Sequence, residues 1–254
     1  MTLVRQPELS GSIPVAPSRP ASPRTLTGTD CESTTAPPSW SDVAALATRF
    51  EDTPPEEVVT WALTQFGSGL ALVCSFQNCV LIHMATQIDA GVEVIFLDTG
   101  SHFAETLSFV EEVRAHYGLN LRMVRPGADA DGWPCGSERC CELRKLVPLT
   151  RALAQRTAWM TGLKRVDTTA RSGAPTVGWD STRAMLKVNP LARWSYDDIA
   201  RYEAEHHLLV HPLKERGYLS IGCRPTTRPV SPYEDPRAGR WPGTDRTECG
   251  LHGN

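Results

Sequence analysis

Leu70-Ala71-Leu72-Val73-Cys74, followed by Ser75-Phe76-Gln77-Asn78-Cys79 and an apolar run from Val80 to Ile88, reads as a buried strand, a turn and a helix. The same unit recurs downstream. Val92-Glu93-Val94-Ile95-Phe96-Leu97 predicts a second strand. The helix after it carries Phe103, Leu107, Val110, Val113 and Tyr117, at spacings of 4, 3, 3 and 4, on one amphipathic face. Leu119 to Val124 predicts a third strand, Leu146 to Ala154 a helix, and Ala158-Trp159-Met160-Thr161-Gly162 a fourth strand. Strands that alternate with helices favour a parallel sheet covered on both faces, so the fold class is α/β. Upstream, Ser41 is placed to cap a helix carrying Val43, Leu46 and Phe50, and Pro54-Pro55 opens another with Val58, Trp61 and Leu63 inside. Ser195-Tyr196-Asp197-Asp198 has the spacing of a capping box and starts a last helix that runs to about His207.

The two ends of the chain differ from this pattern. Residues 1–39 are rich in Pro, Ser and Thr and predict a disordered leader. Order is expected over 40–230, with a C-terminal tail over 231–254; periodicity already fades from about residue 212. Long irregular segments usually have a functional reason. The net charge of −3 gives no footprint for general nucleic-acid binding. No apolar run is long enough to span a bilayer, and none follows Arg5 as a secretory signal requires, so the expectation is a cytoplasmic protein with neither nucleic acid nor membrane as partner.

In an open parallel sheet, ligands bind beyond the carboxyl ends of the strands. Two such ends carry polar groups: the turn Cys74–Cys79, and Leu97-Asp98-Thr99-Gly100. Each alone is equally compatible with an ordinary loop cap. The cysteines say more. Eight are present, at 31, 74, 79, 135, 140, 141, 223 and 249. In a reducing compartment, clustered thiols point to metal or redox chemistry rather than a disulfide framework. Adjacent Cys140 and Cys141 cannot bridge each other without strain, but both can reach one multi-iron cluster. Cys74 and Cys79 read as small buried hydrophobes, and Cys31 as incidental.

Several strings together resemble the assimilatory sulfonucleotide reductases, in particular the iron–sulfur adenylyl-sulfate reductases. They are Phe96-Leu97-Asp98-Thr99-Gly100, Cys140-Cys141-Glu142-Leu143-Arg144-Lys145, Thr161-Gly162-Leu163-Lys164-Arg165, Ser220-Ile221-Gly222-Cys223, Asp235-Pro236-Arg237-Ala238-Gly239-Arg240-Trp241 and Glu248-Cys249-Gly250-Leu251-His252. The resemblance runs from about residue 40 to the end, in the family's order. It implies an adenine-nucleotide alpha-hydrolase-like fold of the PP-loop type with a mobile tail, and thioredoxin-dependent reduction of adenylyl sulfate to sulfite and AMP. Cys249 would be the nucleophile and would carry the sulfur as an S-sulfocysteine. Lys145, Arg165, Arg171, Arg237 and Arg240 match positions that surround the phosphosulfate or support the site. Ser75, Gln77 and Asn78 lie in the nucleotide loop, and Leu97, Thr99 and Gly162 near the adenosine. Cys140, Cys141 and Cys223 match ligands of a [4Fe–4S] cluster. The chemistry is consistent with these roles: a thiolate nucleophile and a doubly charged substrate both require positive surroundings. Arg237 and Arg240 share the tail with Cys249, so one closure would deliver charge and nucleophile together and exclude water. His252 either tunes the thiol or is an idle, exposed tail residue.

The chain departs from that pattern at one ligand. Cluster-binding members supply a Cys-Cys pair and a later Cys-x-x-Cys, whereas this chain has Cys223-Arg224-Pro225-Thr226. Members without a cluster usually lack the whole set. Three accounts stand open: a cluster on three thiolates whose fourth iron is bound by solvent, an added thiol or another side chain such as Cys135; loss of the cluster; or a threonine substituted into an otherwise four-cysteine protein. Zinc is disfavoured, because adjacent cysteines are poor tetrahedral partners. The turn with Phe76 and Gln77 also lacks a glycine-rich phosphate loop, which argues against ATP cleavage. The rival functions are a cluster-free 3′-phosphoadenylyl-sulfate reductase and a non-catalytic iron–sulfur or nucleotide sensor. Oligomeric state, homo-oligomer included, is left open.

Overall fold

The computed structural model describes residues 40–252, and the expected leader over 1–39 lies outside them. Six strands form one sheet in the order β3-β2-β1-β4-β6-β5: β1 Leu70–Val73, β2 Glu93–Leu97, β3 Asn120–Val124, β4 Ala158–Thr161, β5 Val177–Asp180 and β6 Met185–Val188. All neighbouring pairs are parallel except β5 with β6. The helices are α1 Trp40–Phe50, α2 Pro55–Phe66, α3 Val80–Ile88, α4 Ala104–Tyr117, α5 Glu138–Cys141, α6 Val147–Leu153 and α7 Tyr196–Glu205. This is the expected α/β architecture, with two additions.

The first is the β5–β6 hairpin. Val177-Gly178-Trp179-Asp180 and Met185-Leu186-Lys187-Val188 are too short and too mixed in polarity to announce strands. The pairing forms because Leu186 and Val188 bury against the sheet core while Lys187 stays inside beside Trp159, its ammonium 5.0 Å from the ring centre. The second addition is a π turn, Glu142–Leu146, that joins α5 to α6 in one continuous helical stretch. One helix was expected there, starting only at Leu146.

Period-two alternation along the strands separates the core into two faces. Leu70, Leu72, Val94, Phe96, Ala158 and Met160 point to one face, packed with side chains of α1 to α4 and α7. Ala71, Val73, Ile95, Leu97 and Trp159 point to the other, where α6 supplies Leu149, Ala152 and Leu153. This second face is thinly covered by helix, and Leu251 of the tail packs against it. Burying apolar area at roughly 25 cal/mol per Å² gives the tail a reason to dock.

Local signals hold with small shifts. Pro54 and Pro55 open α2 as expected. Ser195 and Asp198 form a reciprocal capping box on α7. Helix α1 already includes Trp40, so Ser41 lies inside its first turn rather than capping it. On α4 the buried face is Thr106, Phe109, Val110 and Val113, and Leu107 is 37% exposed, a rotation from the expected stripe. No described helix is long and apolar enough to cross a membrane.

Candidate active site

Strand β1 lies between β2 and β4, and the chain leaves it outward in both directions, so the switch point of the sheet is there. Val73 is in register with both Ile95 and Thr161, which brings the carboxyl ends of β1, β2 and β4 to one level. A cavity of about 190 Å³ opens above them.

Its floor comes from the turn after β1. Phe76 is fully buried, holds a left-handed φ of +57° and meets Phe96 edge-on at 5.4 Å. A non-glycine in that region is uncommon and costly, and here burial of the ring over-determines it. The turn thereby presents Ser75, Gln77 and Asn78 to the cavity. Asn78 Oδ1 accepts the Val80 N–H at 3.2 Å at the start of α3. Gln77 clamps the segment before Cys223: its Nε2 donates to the Leu219 carbonyl at 3.3 Å and its Oε1 accepts from Ile221 N–H at 3.1 Å. Cys79 is buried as expected, whereas Cys74 lines the cavity; burial pushes the Cys74 thiol up to about 12, an unreactive group at neutral pH.

Leu97 and Thr99, at the end of β2, line the same cavity, as does Gly162 after β4. Arg144 from the π turn donates to the Thr99 carbonyl at 2.8 Å and to Ala130 O at 3.0 Å, bracing that loop.

The cationic side is built by the helical stretch, the loop after β4 and the tail. Lys145, Arg171, Arg237 and Arg240 all line the cavity, and so does Cys249. Burial disfavours the charge on Lys145, but Cys249, Cys223 and Cys141 around it outweigh that and raise its pKa. Arg240 is held differently. Its guanidinium lies against Gly222, where any Cβ would overlap it. Its contacts to Ser220 Oγ and Ile221 O are long, 3.4 and 3.5 Å, and its Nε is buried with no hydrogen-bond partner among the described residues. A buried guanidinium so poorly satisfied is a site for an anion. Burial lowers its pKa.

The tail is held over the cavity by a latch. Arg171 Nε and Nη2 donate to the two carboxylate oxygens of Glu248, each at 2.6 Å, and the Thr168 hydroxyl adds 2.7 Å. Arg237 donates to the Thr247 carbonyl at 2.9 Å. His252 is stacked on Trp159, centroids 6.1 Å apart and planes 4° from parallel, and desolvation, with the cations around it, lowers its pKa. His252 is thus not an idle, exposed tail residue: it is half-buried and stacked on the sheet.

Arg165 is a correction in part. It does not line the cavity; its guanidinium is paired with Glu51 at 2.6 and 2.8 Å and its Nε donates to Ala174 O. It supports the fold, and its neighbour Lys164 faces the cavity instead, bound to Asp167 at 3.0 Å. Burial lowers the pKa of Lys164. Both residues lie beyond β4, where Lys164 is still extended and Arg165 opens a short 3-10 turn, so the two side chains leave in different directions. Trp159 and Asp167 were also missed as site residues, because neither carries a local motif of its own, and Glu248 was quoted in the tail string but given no role.

Cys140, Cys141 and Cys223 are 3%, 4% and 5% exposed. The Thr99 hydroxyl lies 3.5 Å from Cys223 Sγ. Interaction with the Cys135 thiol is the main cause that lowers the pKa of Cys223, and the same interaction raises that of Cys135. No described cysteine is disulfide-bonded, and among the described residues no group of three or more His, Cys, Asp or Glu is arranged to hold a single metal ion. A cluster makes a different demand, because its irons are separate attachment points for separate thiolates.

The chain matches the phosphoadenosine phosphosulfate reductase domain family over residues 69–229. It is 41% identical over 225 residues to the adenosine 5′-phosphosulfate reductase of Streptomyces coelicolor, covering 84% of this chain and 95% of that one. Among solved structures it is similar to the phosphoadenylyl-sulfate reductase of Candida auris in a phosphate complex, with a TM-score of 0.66, 25% identity, and coverage of 75% and 98%. The FMN adenylyltransferase of Candida glabrata shares the fold alone, with a TM-score of 0.54 and 15% identity over 74% of this chain and 65% of that one.

Proposed function

Because the chain belongs to the phosphoadenosine phosphosulfate reductase family, we propose that it reduces adenylyl sulfate to sulfite and AMP, with Cys249 as nucleophile and thioredoxin or a similar dithiol protein as reductant. One observation carries this reading: a tail thiol shares the wall of a single cavity with Lys145, Arg171, Arg237 and Arg240, at the switch point of the sheet. Ser75, Gln77, Asn78, Leu97, Thr99 and Gly162 take the adenosine end, and the four cations take the phosphosulfate. The domain spans 40–230, and the tail, 231–254, lifts to admit substrate and closes over it. The setting is the cytoplasm, where dithiols are kept reduced.

The thiolate of Cys249 attacks the substrate sulfur. An S–S bond forms while the S–O bond to phosphate breaks, and AMP leaves with the electron pair. Guanidinium and ammonium groups around the cavity stabilise the charge that develops on the leaving phosphate. A thiolate of the reductant then attacks Cys249 Sγ, sulfite departs with the electron pair, and the second thiol of the reductant frees Cys249. The dithiol ends as a disulfide. The thiols of Cys140, Cys141 and Cys223 suit the soft-donor chemistry of an iron–sulfur cluster, and when bound it would supply a charged neighbour to Lys145. The two electrons of the reaction are those of the dithiol.

Labelled adenylyl sulfate without dithiol should leave a sulfo adduct on Cys249, read by intact and peptide mass. Cys249→Ser should abolish the adduct and sulfite formation while AMP binding persists. A wild-type enzyme that never acquires the adduct refutes the mechanism. Comparing kcat/KM on adenylyl sulfate and its 3′-phosphorylated form tests the substrate, and a large preference for the latter overturns it.

A further inference from the structure

Thr226 occupies the position at which the sequence pattern calls for a fourth thiolate. Its hydroxyl is unsuited to that task and is already used: Oγ1 donates to the Cys223 carbonyl at 3.3 Å. Its methyl group faces the other way, toward Gly136. A Cβ built on Gly136 would lie 2.7 Å from Thr226 Cγ2, so the absence of a side chain at 136 is what lets the two segments touch. Gly136 is the third residue of a turn closed by Ser137 N–H to Pro134 O at 3.1 Å, and its φ of +95° is one that favours glycine. The second residue of that turn is Cys135.

This turn is fixed from several sides. Ser137 caps α5, its hydroxyl accepting the Cys140 N–H at 3.2 Å, so Cys135 is tied to the Cys140-Cys141 pair. The Arg246 guanidinium donates to the Gly136 carbonyl. Trp241, buried between Thr226 and this turn, donates its N–H to Thr226 O at 3.0 Å and sets its ring 3.5 Å from the Gly136 Cβ position. Cys135 therefore sits in the turn packed on Thr226 and just before the cap of the helix that carries Cys140, with Cys223, Cys140 and Lys145 as its electrostatic neighbours.

We propose that Cys135 replaces Thr226 as the fourth ligand, so that Cys135, Cys140, Cys141 and Cys223 together hold one [4Fe–4S] cluster. The exchange is local: the thiol moves from the turn after Cys223 to the turn packed directly against it. Soft thiolates select iron–sulfur clusters where a threonine hydroxyl does not. Each thiol gives up its proton as its sulfur–iron bond forms. Lys145 and Arg246, both of which act on these thiols, offset the negative charge of a tetrathiolate site. The inference rests on the family reading only for the expectation of a cluster.

The test uses full-length protein purified without oxygen, with iron and acid-labile sulfide counted and visible and electron paramagnetic resonance spectra recorded. Wild type should carry about four irons per chain. Cys135→Ser should fall to about three or fewer, with a three-iron signal or rapid bleaching in air. Cys135→Ser with Thr226→Cys should restore the wild-type count and lifetime, which also answers any loss of folding in the single variant. Cys135→Ser with unchanged iron, spectrum and air stability overturns the proposal. So does a double variant that stays depleted, or an iron-free wild type, including one whose Cys135 and Cys223 are found disulfide-linked. Sulfite formation by an iron-free wild type would sink this assignment while leaving the proposed reaction intact.

Discussion

Glu248→Ala removes the latch that holds the nucleophile-bearing tail. Arg171 meets the Glu248 carboxylate through two bonds of 2.6 Å, Thr168 adds a third of 2.7 Å, and the two side chains of the ion pair are only 10% and 21% exposed. Burial works against the Glu248 charge, but the Arg171 bonds outweigh it and hold the carboxyl below its usual range. Arg171 keeps Asp167 at 2.9 Å after the substitution, so it is not stranded as an isolated buried charge. Losing a half-buried, charge-assisted pair of this kind costs about 2–3 kcal/mol, or roughly 30- to 150-fold in the open-to-closed ratio. Cleavage by trypsin after Arg246 reads that ratio, because Arg246 is engaged by the carbonyls of Gly136 and Glu248 when the tail is down. At low protease the rate follows the open population. The variant should be cut tens of times faster at that bond, with the sheet intact. A change below about threefold would mean that Leu251 and His252, not the ion pair, hold the tail, and the latch argument would fail.

Further outcomes follow from other contacts. Gly222→Ala should displace the Arg240 guanidinium and raise KM for the sulfonucleotide about tenfold with thermal stability little changed; an unaltered KM would remove Arg240 from the anion site. Arg165→Ala should cost about 1 kcal/mol or less of stability through loss of the Glu51 pair and leave KM within about twofold, whereas Lys164→Met should raise KM; the reverse ranking would reinstate Arg165 in the site. His211 is fully buried, its Nδ1 accepting the Leu213 N–H at 3.2 Å and its Nε2 lying 3.0 Å from the Thr106 hydroxyl, so the neutral ring is the one that fits. Burial lowers its pKa to about 4, so protonation favours the unfolded chain. Its stabilising share is present above the unfolded pKa and is lost as pH falls toward 4, about 2 kcal/mol between pH 7.5 and 5. Urea denaturation at those two pH values should show this difference shrink in His211→Gln.

What the sequence determined by itself is what local chemistry encodes. Apolar runs of strand length separated by amphipathic helices made the parallel sheet readable, and Pro55 and the Ser195–Asp198 box marked helix starts, because each signal lies within one turn or one strand. The motif strings named much of the cavity lining, Lys145, Arg237, Arg240 and Cys249 included, since they sit at strand ends and in the tail. Tertiary structure alone decided the rest. Lys187, fully inside β6, is unreadable without Trp159 and Asp180 to receive it. Arg165 and Lys164 are interchangeable as letters, and only the direction in which each leaves the loop after β4 assigns one to Glu51 and the other to the cavity. Cys135 lies 88 positions from Cys223, and no spacing rule joins them; a glycine that permits close approach, and a threonine methyl it approaches, bring the thiols together. Side-chain direction and contacts between distant segments are properties of packing, and packing exists only once the chain has folded.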